Sequence, residues 1–180
     1  IYLRDYHKEN YECSKERFRL KGTKITLEEA DTPTFIGVRQ SEFDSELTVS
    51  VSGTAQEAGV TFYMDEQQHY DLFRSVTTEG IKAVLRFHVG DAIMIAGEYE
   101  FEGAADAEQQ AVQLKAVTRE EYYEFYVIDG AKEVFLGRAQ AKYLSSEVAG
   151  GFTGVVMGLY AVDEQENWAE FRNFYWKQGR

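Results

Sequence analysis

The sequence contains little cysteine and little proline, and it has no long apolar run. There is one cysteine in 180 residues, so Cys13 cannot form a disulfide within the chain and stability has to come from packing. Nowhere do about 18 apolar residues follow one another, the length that a membrane-spanning helix requires. The opening residues Ile1–Lys8 are charged and aromatic, which is not the pattern of a secretory signal.

Positive charge is scarce as well. The chain has 19 Lys and Arg against 31 Asp and Glu, a formal net charge of −12. Polyanions such as DNA, RNA and anionic lipid surfaces would be repelled by this charge, so we expect neither a nucleic-acid nor a membrane partner. At 44% hydrophobic and 14% aromatic residues, the chain has ample material for one folded core.

The apolar residues that are present follow a period of two. They alternate with polar residues in 47–51 and 112–116, the pattern of strands with one buried face. Alternation or a short apolar run recurs in 60–64, 83–87, 122–127, 134–136, 155–161 and 171–176. Fifteen glycines against one proline agree with this, because proline removes a ladder hydrogen bond. The spacing predicts an all-β sandwich of antiparallel strands, and a weak helical signal at Thr26–Glu29 is too short to change that.

Candidate catalytic and metal-binding carboxylates are few. Glu28-Glu29 and Glu120-Glu121 are adjacent pairs, and neighbours on a strand point to opposite faces, so neither pair converges on one atom. The run Asp163-Glu164-Gln165-Glu166 offers oxygen ligands for Ca²⁺ but lacks the spacing of an EF-hand loop. We predict no cofactor and no metal site, with calcium at this run as the alternative to a solvated loop.

The three histidines, His7, His69 and His88, lack the spacing of a helical zinc site. On a strand, His69 and Asp71 would share one face, where the carboxylate would orient the imidazole. A hydrogen-bonded structural histidine is the simpler interpretation of this pair.

Two aromatic groups are candidates for ligand contact. Tyr122 and Tyr126 would lie on one strand face, where they either stack on a sugar ring or cover a half-exposed strand. In Gly150-Gly151-Phe152-Thr153-Gly154, the glycines allow a backbone that turns Phe152 outward, towards another domain or a ligand. Burial of Phe152 in the core is equally compatible with the residues.

Several stretches, taken in order, resemble the carboxy-terminal domain of glycoside hydrolase family 43 β-xylosidases. These stretches are Pro33–Gln40, Glu57–Tyr63, His69–Phe73, Leu144–Gly154 and Gly158–Ala161. The resemblance extends from about residue 30 to the end of the chain, so it covers nearly all of it. It implies a concanavalin A-like jelly roll of two packed antiparallel sheets, with residues 1–180 forming one domain.

In that family, the domain follows a five-bladed β-propeller that holds the catalytic carboxylates. The resemblance therefore implies that the chain is cut from a longer polypeptide and is inactive alone, without catalytic residues. The parent enzymes release xylose, and often arabinofuranose, from the ends of xylo-oligosaccharides by inversion. The implied partners are the propeller, its xylo-oligosaccharide substrate and, in the parent, a possible oligomer. We expect a cytoplasmic rather than a secreted protein.

The resemblance also gives Phe152 a role. On the loop formed by Gly150, Gly151, Thr153 and Gly154, it would wall the catalytic pocket beside the leaving sugar and help exclude water. Two other functions stay open. One is an independent carbohydrate-binding module that uses Tyr122 and Tyr126, and the other is a structural interaction domain.

Overall fold

The computed structural model describes residues 1–103, 106, 108–145 and 154–179. In several of its strands, buried and exposed side chains alternate. Its strands are β1 (Tyr11–Cys13), β2 (Arg17–Lys21), β3 (Thr34–Arg39), β4 (Ser45–Gly53), β5 (Glu57–Asp65), β6 (Gln68–Thr77), β7 (Gly80–Val89), β8 (Ala92–Phe101), β9 (Val112–Thr118), β10 (Tyr122–Asp129), β11 (Lys132–Gln140), β12 (Val156–Val162) and β13 (Trp168–Gln178). Short 3₁₀ helices occupy Lys8–Asn10 and Ala141–Leu144. No helix among the described residues is long and apolar enough to cross a membrane.

The strands form two sheets. The seven-stranded sheet has the order β1-β2-β13-β4-β9-β10-β11, and the six-stranded sheet has the order β3-β12-β5-β6-β7-β8. Neighbouring strands within each sheet run antiparallel. The predicted all-β sandwich of two antiparallel sheets is therefore confirmed.

The main core lies between the two sheets. Side chains from alternate positions of both sheets fill it, and many of them have no exposed surface, including Val49, Leu114 and Phe125 from one sheet and Val60 and Leu72 from the other. Removing this apolar surface from water is the dominant stabilising contribution in the absence of disulfides.

A second, smaller core lies on the outer face of the six-stranded sheet. Residues 22–33, here called the cover segment, cross this face, and Leu27 is buried there against Phe35, Phe73 and Tyr160. Thr26–Glu29, the weak helical signal, forms a turn in which the Thr26 N–H donates to Glu29 Oε1 at 2.9 Å. The cover segment therefore turns a sheet face that would meet solvent into a buried one.

All eight predicted strand segments lie in strands, but the periodicity missed others. In β6 the side chains from Gln68 to Arg74 are buried on both faces, so no alternation marks this strand. In β8 the first four residues are all exposed, including Ile93 and Met94. Burial does not alternate along β6 or along the first half of β8, and the period of two marks neither strand.

Candidate functional site

A cleft of about 850 Å³ opens at one end of the sandwich, and we call it the end cleft. Four stretches of chain line it: residues 40–43 after β3, 120–123 at the start of β10, 140–145 after β11 and 154–155 before β12. Ser145 and Gly154 are both in its lining, and in the chain they flank residues 146–153. Gly150, Gly151, Phe152 and Thr153 lie outside the described residues, so the prediction for Phe152 remains a prediction.

The walls of the end cleft are tied to both sheets through Gln40. Its Oε1 accepts a hydrogen bond from the Tyr123 hydroxyl at 2.6 Å, and its Nε2 donates to Thr118 Oγ1 at 3.1 Å. Its backbone N–H donates to the Val155 carbonyl at 3.0 Å. Burial raises the pKa of Tyr123 above its ordinary value, which keeps the phenol a neutral donor. These hydrogen bonds therefore hold the walls of the end cleft in place against the core.

The rim of the end cleft combines an exposed aromatic ring with exposed carboxylates. Phe43 is 68% exposed, and the lining carboxylates of Glu42, Glu120 and Glu121 are exposed too. Gly154 is exposed with φ at +67°, and a Cβ there would be 3.9 Å from Arg39 Nη1. Left-handed backbone at this position suits glycine.

Tyr122 and Tyr126 share the outer face of the seven-stranded sheet, as their spacing predicts, but their surroundings differ. Tyr122 lines the end cleft, and the Arg138 guanidinium covers its ring with Cζ 4.2 Å from the ring centroid. Tyr126 lies outside the cleft lining, with its ring 5.5 Å from that of Phe135. Sugar stacking by these rings remains a prediction.

A hydrogen bond to a charged side chain also fixes the position of the Tyr126 ring. Its hydroxyl donates to Glu124 Oε2 at 2.6 Å, and Glu124 pairs with Arg138. Burial and the Glu124 carboxylate raise the pKa of Tyr126 to about 12. The hydrogen bonds from Tyr126 and Arg138 hold the pKa of Glu124 below its ordinary value.

A buried charged cluster lies under the cover segment, and sequence reasoning identified only part of it. The predicted pairing of His69 with Asp71 is confirmed: Nδ1 lies 2.8 Å from Oδ1, and both side chains are fully buried. Arg86 donates to Asp71 Oδ2 at 2.8 Å and to both carboxylate oxygens of Glu57 at 2.7 and 3.1 Å. Burial would raise the pKa of Asp71, but His69 and Arg86 outweigh it and lower that pKa.

The strand register explains why these residues meet. In the pairing of β6 with β7, His69 lies opposite His88 and Asp71 lies opposite Arg86. Cross-strand neighbours on one face have their Cβ atoms roughly 5 Å apart, so two rows of polar groups stack side by side. Only knowledge of the register could have found His88 and Arg86 as partners of the predicted pair.

The run proposed for calcium contains one buried carboxylate. Asp163 is fully buried, and it accepts hydrogen bonds from the N–H of Gln56 at 2.9 Å and of Gln165 at 2.6 Å. Glu164 and Glu166 are exposed. Asp163 therefore organises the turn between β12 and β13, while calcium binding there stays a prediction.

Comparison with known proteins places this architecture in a family. A family model described as the β-xylosidase C-terminal concanavalin A-like domain matches residues 1–177. The chain is 32% identical over 147 residues to the non-reducing end α-L-arabinofuranosidase BoGH43B of Bacteroides ovatus, a match covering 79% of this chain and 27% of that protein.

Solved structures of other proteins have the same fold. The structure described as Bacteroides ovatus Xyloglucan PUL GH43B superposes with a TM-score of 0.87 at 27% identity, covering 99% of this chain and 36% of that one. The xylan β-1,4-xylosidase from Bacillus halodurans C-125 shares the fold, with a TM-score of 0.77 at 22% identity over 90% of this chain and 33% of the other. This chain thus spans 27–36% of the length of these relatives. It belongs to the family of concanavalin A-like C-terminal domains of glycoside hydrolase family 43 β-xylosidases.

Proposed function

We propose that the chain is the non-catalytic C-terminal domain of a family 43 glycosidase that removes pentose units from the ends of xylo-oligosaccharides. The match of residues 1–177 to the family model carries this proposal. The chain also covers only 27% of the BoGH43B sequence and 36% of the Bacteroides ovatus GH43B structure, which leaves most of the length for a separate catalytic domain. We assign that role to an N-terminal β-propeller, on which this domain packs.

The carboxylates of the described residues support a non-catalytic role. Glycoside hydrolysis by the usual route needs two carboxyl groups across the scissile bond, one of them a general acid in a sheltered environment. The end-cleft carboxylates Glu42, Glu120 and Glu121 are exposed instead. The buried Asp71 and the half-buried Glu57 both accept hydrogen bonds from Arg86, so each is paired with a cation within the fold.

The end cleft is the surface that we propose faces the catalytic domain. It combines concave shape, an exposed Phe43 and the two residues that flank 146–153. Exposed aromatic side chains are the anchors by which domain interfaces exclude water. Gly154, the last residue of Gly150-Gly151-Phe152-Thr153-Gly154, lines the end cleft, and we propose that Phe152 walls the sugar pocket of the propeller.

The test of this role is the Phe152→Ala variant of the full-length parent enzyme. Loss of one aromatic wall should lower kcat/KM on a 4-nitrophenyl β-D-xyloside by roughly tenfold, which is about 1.4 kcal/mol of transition-state stabilisation. Product inhibition by xylose should weaken as well. The matched control is Phe135→Ala, which removes a 54% exposed ring outside the end cleft and should leave both constants unchanged. Parent-like kinetics in Phe152→Ala would reject the pocket-wall role.

Substrate preference and inactivity of the domain alone need separate assays. The parent should hydrolyse the 4-nitrophenyl β-D-xyloside, the α-L-arabinofuranoside or both, and the ratio of their kcat/KM values assigns the type. The 180-residue chain should hydrolyse neither. Hydrolysis by the purified chain would overturn the non-catalytic assignment.

A carbohydrate-binding module is the second candidate, because Tyr122 lines the end cleft. Arg138 already covers one side of that ring, so we expect no heat when xylobiose is titrated into the chain in a calorimeter. Saturable binding that is lost in Tyr122→Ala but kept in Tyr126→Ala would favour the module and its location in the cleft.

A further inference from the structure

Two buried imidazoles lie side by side under the cover segment. His69 is fully buried and His88 is 6% exposed, with their ring centroids 4.8 Å apart. His69 Nδ1 pairs with the Asp71 carboxylate at 2.8 Å, and His88 Nε2 pairs with the Gly90 carbonyl at 3.0 Å. Carboxylate and carbonyl oxygens accept hydrogen bonds, so each of these two nitrogens is assigned a proton.

The opposite nitrogen of each ring is then a lone pair without a hydrogen-bond partner. His69 Nε2 and His88 Nδ1 are both buried, and neither makes a hydrogen bond with any described residue. A buried polar atom of this kind destabilises the fold unless something satisfies it. The cover segment brings a carboxylate close to one of these nitrogens. Glu28 Oε1 lies 3.9 Å from His88 Nδ1.

We propose that Glu28, His69 and His88 bind a divalent transition-metal ion of the Zn²⁺ type. One ligand atom from each of the three residues lies within 4.8 Å of the other two. Imidazole nitrogens favour Zn²⁺, Cu²⁺, Fe²⁺ or Ni²⁺ over Ca²⁺ and Mg²⁺, which prefer oxygen ligands. Two histidines and one carboxylate, with a fourth position for water, are an established zinc ligand set.

The partners of the two rings support this assignment. A histidine that ligates a metal typically donates its other N–H to a carboxylate or a backbone carbonyl, which fixes the tautomer and the ring orientation. Asp71 does this for His69 and Gly90 does it for His88. The orientation of both rings is therefore the one that a metal-ligating histidine has.

Charge also fits a dication. The carboxylates of Glu28, Glu57 and Asp71 face the Arg86 guanidinium, whose Nε lies 3.9 Å from Glu28 Oε1. Counted as ionised, these groups sum to two negative charges, which a divalent cation neutralises.

Binding requires a small movement of Glu28. A tetrahedral Zn²⁺ with bonds of about 2.0–2.2 Å places its ligand atoms roughly 3.3–3.5 Å apart. Glu28 lies on a turn and its side chain is 26% exposed, so it is the ligand that can close on the two fixed imidazoles. The ion would then clamp the cover segment onto β6 and β7. This inference does not depend on the catalytic role of the parent enzyme.

The test uses the 180-residue chain after removal of metals with EDTA and gel filtration. Titration with ZnCl₂ in a calorimeter should show one ion bound per chain, and Zn²⁺ should raise the Tm by several degrees through preferential binding to the folded state. CoCl₂ should give the visible absorption bands of a four-coordinate site. CaCl₂ should produce neither the heat nor the shift in Tm.

Variants locate the ion. Each of two variants removes one ligand atom. Glu28→Gln should weaken Zn²⁺ binding by at least tenfold, and His88→Gln should weaken it by at least a hundredfold. The matched control is His7→Gln, which removes an exposed histidine and should bind Zn²⁺ like the parent chain. Far-UV circular dichroism confirms that each variant is folded. Absence of stoichiometric Zn²⁺ binding in the parent chain, or undiminished binding in the folded Glu28→Gln/His88→Gln double variant, would overturn the proposal.

Discussion

The two sheets turn very different outer faces to their surroundings. On the seven-stranded sheet, Tyr122, Glu124 and Tyr126 alternate with core residues, and their partners Arg138 and Lys115 meet solvent or lie close to it. On the six-stranded sheet, the equivalent outward positions under the cover segment carry His69 and Asp71, which are buried, and Arg86, which is half-buried. Both faces are polar in sequence, yet one is an open surface and the other a charged core.

This difference shows that the contribution of an ion pair to the free energy of unfolding depends on how far the pair is removed from solvent. Exposed pairs such as Glu124 with Arg138 lie in a high dielectric and contribute little. The Asp71–Arg86 pair is largely removed from water, and deleting one member leaves the other charge buried without compensation. Perturbing each face in turn therefore tests whether the cover segment creates this contrast.

The largest effect is expected from Asp71→Ala. This change removes the acceptor of Thr61, His69 and Arg86 together and should lower the free energy of unfolding by about 3–5 kcal/mol. Urea unfolding followed by fluorescence measures it. The control on the open face, Glu124→Ala, should lower it by less than about 1 kcal/mol. Equal losses in the two variants would abolish the contrast between the faces.

A smaller loss is expected from Leu27→Ala. Leu27 is 1% exposed and anchors the cover segment in the second core, so its truncation should lower the free energy of unfolding by about 2–3 kcal/mol, near the lower end for Leu→Ala changes. Hydrogen exchange by mass spectrometry should show faster exchange in residues 22–33 while β9 and β10 keep their protection. An unchanged exchange pattern would show that the cover segment is held without Leu27.

Removal of one hydroxyl on the open face should have a lesser effect. Tyr126→Phe loses the hydrogen bond to Glu124, which is partly exposed and should lower the free energy of unfolding by about 0.5–1 kcal/mol. The same urea experiment measures it. A loss as large as that of Leu27→Ala would mean that this face is less open than its exposure indicates.

The smallest effect concerns alkaline pH, where one tyrosine on each face titrates late. Burial raises the pKa of Tyr63 under the cover segment to about 12, and burial with Glu124 raises that of Tyr126 to about 12. The unfolded phenols ionise near 10, so both contribute stability that is lost as the pH rises from 10 through 12.

Salt separates the two tyrosines. High NaCl screens the exposed Glu124 charge and should lower the pKa of Tyr126 more than that of Tyr63. Ultraviolet titration of the Tyr63→Phe and Tyr126→Phe variants assigns each step. A larger shift for Tyr63 would contradict the difference in covering.

The sequence predicted the fold well because alternation or a short apolar run marks β4, β5, β7, β9, β10, β11, β12 and β13. It also predicted the His69–Asp71 pair, since residues two apart on a strand share a face. It could not predict that His88 and Glu28 approach that pair, because strand register and the path of residues 22–33 are set by packing far along the chain. His69 and His88 do not have the spacing of a helical zinc site, because they meet across the paired strands β6 and β7 instead.

The positions of the last two strands bear on how the protein is made. β12 lies between β3 and β5, and β13 lies between β2 and β4, so both sheets stay split until residues 156–178 have left the ribosome. Such non-local pairing gives a high contact order and slow folding. Nascent chains therefore carry unpaired strand edges that invite aggregation. A stop codon before residue 156 would remove an interior strand from each sheet rather than an edge strand.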